Sequence, residues 1–194
     1  MGNGMQPKKE VLQAMNFAEN YHKGQYRMGS EGRIPYYDEH ILGVYNILKD
    51  ECHVTDSEIL ITALLHDTVE DTECTFEDIE SCFGSRIMNN VKLLTRTKGE
   101  PFSDYTERLF AGDSEKVVLV KLADRLHNLR TILYMPDKKW IEKKVRQTRT
   151  DILNRLDKFS LENADESCRS NILMLEEQIK KQLKHIDNEL LKRV

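Results

Sequence analysis

Two stretches of this chain are too apolar to lie on a surface as helices, and both become ionisable where the apolar run ends. The first is "EILITALLHDTVEDT", residues 58–72, and the second is "KVVLVKLADRLHNLRT", residues 116–131. A helix that is apolar around most of its circumference belongs at the centre of a bundle. The β-branched opening of the second stretch suits a strand as well, but the spacing of Leu122, Leu126, Leu129 and Leu133 decides for helix. Pro136 closes it, because proline cannot continue the hydrogen-bond ladder. Two such helices need amphipathic neighbours, and the rest of the chain offers them.

Residues 8–22 place Val11, Leu12, Met15, Phe17 and Ala18 mostly on one face, and residues 39–50 do the same with Ile41, Val44, Ile47 and Leu48. Between them, "HKGQYRMGSEGRIPYYDEH" is rich in glycine and reads as a long loop with turns. Thr55 and Glu58 have capping-box spacing before the first central helix, and a short helix is expected from Thr75 to Gly84. From about residue 166, Ile172, Leu175, Ile179, Leu183, Ile186 and Leu190 alternate spacings of three and four. That stripe suits a terminal helix docked on its own domain or the seam of a homodimer. The expected architecture is all-α: a helical bundle over residues 1–160 with an amphipathic C-terminal helical extension over 161–194.

The chain has 194 residues, enough to bury a proper core as one domain. Its 29 basic and 33 acidic residues give a net charge of -4, which argues against a dedicated nucleic-acid binder. The apolar runs are far short of the ~20 residues a membrane span needs, and "MGNGMQPKKE" lacks the apolar core of a signal peptide. Gln6 stands where a myristoylation signal has Ser or Thr. Cys52, Cys74, Cys82 and Cys168 show no CxxC spacing, so free thiols in a cytoplasmic protein are expected.

The chemistry lies in the ionisable ends. On one continuous helix, His66 and Asp67 point in adjacent directions, while Glu70 and Asp71 follow one turn later. Buried carboxylates need a partner, and a cation is one that carboxylates and imidazoles can share. His66 and Asp67 are therefore natural metal ligands, with Glu70 and Asp71 placed to handle a water. The second helix carries Asp124, Asn128 and Thr131 as a polar stripe that needs something polar opposite it. His40 is placed to close the set. His127 reads as a surface or supporting residue, and His22, His53 and His185 are not expected as ligands.

"LLHDTVEDT" followed by "KLADRLHNLRT", with "YHKGQYR" upstream, resembles the HD-domain phosphohydrolases and more narrowly the RelA/SpoT-type (p)ppGpp hydrolases. The likeness covers about residues 8–150 and has the form of a small alarmone hydrolase standing alone. It implies hydrolysis of a guanosine 3′-pyrophosphate, with a metal, typically manganese, held by His40, His66, Asp67 and Asp124. Two imidazoles with two carboxylates suit zinc or iron as well. By the same resemblance Glu70 and Asp71 are the catalytic acidic pair, Arg27 lies against the purine, and Asn128 and Thr131 contact the nucleoside. Lys98 and Lys144 would face the phosphates.

The chain departs from the family pattern near Arg27. Met28 stands where a lysine is usual, the span from Arg27 to His40 is several residues longer, and Ile41 replaces a common proline. Arg33 is a candidate to replace the missing lysine. These departures leave room for another phosphorylated nucleotide, such as NADPH, as substrate. A catalytically idle nucleotide-binding module is a further alternative, against which the intact Glu70–Asp71 pair argues. For Arg27 the plain alternative is a surface ion pair with a carboxylate such as Glu31.

Overall fold

The computed structural model describes residues 7–30, 32–112 and 114–192; the first six residues and Glu31, considered above, lie outside them. α1 (Lys9–Tyr21) leads into a two-stranded antiparallel hairpin, β1 (Tyr26–Gly29) and β2 (Gly32–Pro35), with Gly29 opposite Gly32. A helical segment follows as a π-helical turn (Tyr37–Ile41), α2 (Leu42–Asn46) and a second π-helical turn (Ile47–Glu51). Then come α3 (Ser57–Leu65), α4 (Thr68–Asp71), α5 (Phe76–Leu94), α6 (Phe102–Ala111) and α7 (Glu115–Thr131). The chain finishes with a 3₁₀ turn (Ile132–Tyr134), α8 (Lys138–Gln147), a π-helical turn (Thr148–Leu153), α9 (Asn154–Leu156) and α10 (Glu166–Lys192).

The two apolar stretches take the centre, as their composition requires. α3 buries every residue from Ile59 to Leu65, and α7 buries every residue from Val117 to His127 together with Leu129. α1, α2, α5 and α6 surround them. α1 turns Val11, Ala14 and Ala18 inward, whereas Leu12 is 41% exposed, so its inner face is narrower than its composition suggested. No helix among the described residues is long and apolar enough to cross a membrane.

Local chemistry corrects three expectations. The glycine-rich loop is a hairpin, since its two short strands pair across Gly29 and Gly32 without needing an alternating apolar pattern. The cap of α3 is Asp56, which accepts the Glu58 amide at 2.8 Å, rather than Thr55. Glu58 is drawn instead to Lys116 (2.7 Å) and Asn90 (3.0 Å). Thr75 does form a capping box, with Asp78. Gly84 breaks that helix at φ 84°, but helix resumes at once and runs on to Leu94.

The C-terminal stripe is spent within the chain. Ile172, Leu175, Ile179, Leu183 and Ile186 of α10 are buried, and α10 packs along α7. Asn171 and Gln182 lock the register by donating to the carbonyls of Cys52 and Leu129. The homodimer seam expected as an alternative is therefore already occupied by α7. Ile179→Ala should cost about 2–5 kcal/mol of stability in urea unfolding, as for other large-to-small core changes. The sedimentation mass should be unchanged; a shift in mass would place the stripe between chains.

Candidate active site

α3 ends at Leu65, one residue before His66, and the helix breaks at Asp67 (φ −102°, ψ −3°) before α4 begins. Across that break His66 and Asp67 face Asp124 and His40, and Glu70 and Asp71 follow on α4 as more exposed side chains at the edge of the same cluster. His40 comes in from the π-helical turn before α2, and Asp124 from the middle of α7. His40 Nε2 lies 3.3 Å from Asp67 Oδ2 and 3.4 Å from Asp124 Oδ1. His66 Nε2 lies 3.1 Å from Asp67 Oδ2 and 3.9 Å from Asp124 Oδ1. Four groups from three parts of the chain thus face one point. His40, His66 and Asp67 form the tighter trio, with ligand atoms all within 4.8 Å of one another, and Asp124 joins through the imidazoles.

The donor set fits a divalent cation. Ligands bonded at ~2.1 Å to one ion stand roughly 3–3.5 Å apart along a polyhedron edge, close to the separations above. His66 Nε2 is buried and makes no hydrogen bond, an orphan of the kind a metal satisfies. Its other ring nitrogen, Nδ1, donates to the Ala63 carbonyl at 2.7 Å, which leaves the Nε2 lone pair free. Burial resists charge on His66, yet Asp67 and Asp124 overcome it and push it up to about 9. Asp67 and Asp124 sit well below the ordinary carboxylate range: burial opposes their charge, but His66 beside Asp67 and Lys121 beside Asp124 outweigh it. The cluster draws in positive charge.

Each donor is braced. Tyr36 donates its hydroxyl to Asp67, Lys121 reaches Asp124 Oδ2 at 2.9 Å, and Asn128 donates to Asp124 Oδ1. His40 Nδ1 meets His127 Nδ1 at 3.0 Å. His127 is therefore a buried supporting residue rather than a surface one, and burial together with His40 and Arg27 pushes it down to about 3. His22 is buried and bonded to Gln25, and it is not in the cluster; His53 and His185 are exposed.

A cavity of roughly 220 Å³ opens beside Asp67 and Asp124. Arg96, Lys121, Arg125 and Lys144 line it together with Ile132, Met135 and Trp140. Arg27 joins Asn128 (3.3 Å) and Thr131 (3.2 Å), residues more than a hundred positions away, so these three candidates form one group. The Arg27 ion pair is with Glu39 at 2.9 Å. Arg33 takes no part in the cavity lining; it lies over the Tyr26 ring on the hairpin. Glu70 borders the cavity and accepts the Arg96 amide at 2.8 Å. Asp71 and Lys98 line a neighbouring groove that shares Glu70 and Arg96 with the cavity. Burial, with Asp67 and Glu70 nearby, raises Asp71 to about 6. Lys144 borders the cavity, whereas Lys98 lines only the neighbouring groove.

Tyr36, Arg96, Lys121, Arg125 and Trp140 escaped the sequence reading. Lys121 alone had a clear signal, a lysine inside "VVLVKLAD" three residues before an aspartate.

With this geometry in view, the comparisons with known proteins become decisive. The HD domain family pattern matches residues 14–158. The chain belongs to the HD domain family. It is 43% identical over 141 residues to guanosine-3′,5′-bis(diphosphate) 3′-pyrophosphohydrolase MESH1 of Xenopus tropicalis, covering 71% of this chain and 77% of that one. To the human MESH1 it is 38% identical over 142 residues, covering 71% and 78%. A solved structure of a metazoan orthologue of SpoT that hydrolyses ppGpp matches with TM-score 0.71 and 25% identity, over 90% of this chain and 98% of that one.

Lys144 gives the cavity a measurable property. Burial and the charges of Arg125, Arg96 and Lys121 lower it to about 8. A bound phosphate would restore its charge, so binding takes up a proton above pH 8. Inorganic pyrophosphate affinity should therefore fall as pH rises through about 8, and Lys144→Gln should flatten that dependence in calorimetry. An unchanged pH profile in the variant would remove Lys144 from the anion site.

Proposed function

We infer that this chain is a metal-dependent (p)ppGpp hydrolase, cleaving the 3′-pyrophosphate of guanosine tetra- or pentaphosphate to give pyrophosphate and GDP or GTP. The observation that carries the reading is the juxtaposition of a His–His–Asp–Asp cluster with a cavity lined by five cationic side chains, Arg27 among them. One region suits a divalent cation and the adjoining one suits several phosphates. The names of the relatives supply the substrate, and the geometry supplies a site able to act on it.

His40, His66, Asp67 and Asp124 would hold the cation, with manganese as the proposed ion; zinc and iron satisfy the same donors. When bound, the cation supplies Lewis acidity toward the phosphoryl group and the attacking water. Arg96, Arg125, Lys121 and Lys144 neutralise the pyrophosphate and stabilise charge that builds on its oxygens. Arg27, fixed by Glu39, Asn128 and Thr131, offers a planar face to the purine. Water attacks the phosphorus attached to the ribose 3′ oxygen, and the bond from that phosphorus to O3′ breaks. Glu70 orients the water and accepts its proton, while Asp71, raised to about 6 and so close to neutrality, can take up a proton and pass it to O3′. The four free cysteines, three of them buried, fit a reducing cytoplasm.

The longer span from Arg27 to His40 permits a second reading, in which another phosphorylated nucleotide such as NADPH is the substrate. A panel of ppGpp, pppGpp, NADPH and simple 3′- and 2′-nucleotides, assayed with and without Mn²⁺, separates the two. Release of pyrophosphate from ppGpp at the highest kcat/KM is expected. Turnover of NADPH alone would move the assignment to it, and no Mn²⁺-dependent turnover of any member would leave an idle binding module.

Glu70→Gln keeps size but loses the proton-accepting charge. Metal content should stay at the wild-type level while kcat falls by about 10²-fold or more. Near wild-type turnover would remove Glu70 as the essential group.

Arg27→Ala should raise KM for ppGpp by roughly 1–3 kcal/mol in binding, by analogy with the loss of other base-stacking contacts. Arg27→Lys should recover little, since an ammonium cannot span Glu39, Asn128 and Thr131 and still present a flat face. Equal KM values for all three proteins would reduce Arg27 to a structural ion pair.

A further inference from the structure

His40 can serve as a ligand only while its Nε2 keeps both its lone pair and its aim. Nothing on its own helical turn enforces either condition. The contact that does so comes from α7, where His127 Nδ1 lies 3.0 Å from His40 Nδ1, with both rings buried and their centres 5.0 Å apart. Two facing imidazole nitrogens form a hydrogen bond only when one carries the proton and the other does not. His40 Nε2 faces Asp67 and Asp124, so for ligation its proton must sit on Nδ1. His127 Nδ1 is then the acceptor, and the proton of His127 stands on its Nε2.

That second nitrogen points at Gly43. A Cβ added to Gly43 would stand 2.2 Å from His127 Nε2 and 2.4 Å from Cδ2, far inside contact distance, and the ring is buried with little room to retreat. Gly43 lies in α2, where alanine is the better helix former. Space for His127 therefore accounts for a glycine that helix propensity disfavours.

We propose that His127 is the positioning residue that sets the tautomer and aim of His40, and that Gly43 is the position that leaves it room. Metal affinity then depends on a pair that neither ligates the ion nor touches substrate. This rests on the metal-centre reading above.

The test is Mn²⁺ affinity of the full chain, measured by chelator competition, for wild type and five variants. His127→Phe keeps ring volume but cannot accept the proton, and should weaken Mn²⁺ binding 10–100-fold, the loss typical when a ligand's supporting group is removed. His127→Asn, whose Oδ1 stands where Nδ1 does and can accept from His40 Nδ1, should recover most of the affinity. Gly43→Ala should weaken binding by a similar factor, and should add little in a His127→Ala background, where the clash is gone. The single His127→Ala protein is the reference for that comparison. Wild-type affinity in His127→Phe, or equal losses in His127→Phe and His127→Asn, would overturn the proposal. If Gly43→Ala fails to fold, the Phe and Asn pair decides alone. A wild-type protein that binds no Mn²⁺ or other divalent ion would overturn the metal-centre reading itself, and this inference with it.

Discussion

The carboxylates of Asp67 and Asp124 are negative charges placed where solvent cannot reach them well; the Asp124 side chain is only 7% exposed. An uncompensated charge at such a depth costs several kcal/mol. The partners that offset it come from distant parts of the chain: His40 before α2, His66 at the end of α3, Lys121 and Asn128 on α7, and Tyr36 beyond the hairpin. Apolar burial drives α3 and α7 together without specifying register, because both helices are apolar nearly all round. The polar cluster supplies the register, since a shift of one residue would leave a carboxylate facing leucine. The same residues that make a cation site thus also fix how the central helices meet.

Next to this negative core lies its electrostatic opposite. Lys121 belongs to both regions, pairing with Asp124 while bordering the cavity where Arg96, Arg125 and Lys144 gather. Arg125 is buried, its guanidinium lies over Phe102 and its Nε has no hydrogen-bond partner. Lys144 is lowered to about 8 by burial and its cationic neighbours. Burial alone lowers Arg125, against the pull of Asp124, whereas Lys144 also feels the cations beside it. Such a cavity is arranged in advance for phosphate oxygens, so little reorganisation is needed when charge develops on them.

How much of this could be read from the sequence depended on whether a feature is local. Apolar content alone placed α3 and α7 at the centre, and the His66–Asp67 and Asp124–Asn128 spacings marked the polar faces that meet there. The tail stripe was visible, but whether α7 or another chain covers it is decided by tertiary packing. The break at Asp67 was invisible, because nothing in "HDTVED" forbids helix. At that break Asp67 meets His40 and His66, and Glu70 accepts the Arg96 amide, partners that lie far away in the sequence or outside the helix pattern. Lys98 suited phosphate contact by the family resemblance, but the path of the chain after α5 puts it one wall away from the cavity. Arg125 sits in the Asp-Arg-x-x-Asn spacing of the resemblance without a role attached, and Trp140 has no spacing signal at all, since their place in the cavity depends on α7 and α8 facing the same space.

The hairpin explains why losing the usual lysine after Arg27 is tolerable. Successive side chains on a strand point to opposite faces, and β1 carries Arg27 toward Asn128 and Thr131, so residue 28 must point away. Met28 is indeed 42% exposed and takes no part in the cavity lining. A lysine there would offer its charge to solvent, while Arg96, Arg125 and Lys144 already supply cations inside. Arg27 itself is largely neutralised by Glu39, so what it presents to a ligand is a flat, fixed surface more than a free charge. The cations of the cavity other than Arg27 thus come from α7, α8 and the segment after α5, and the hairpin holds one guanidinium in place.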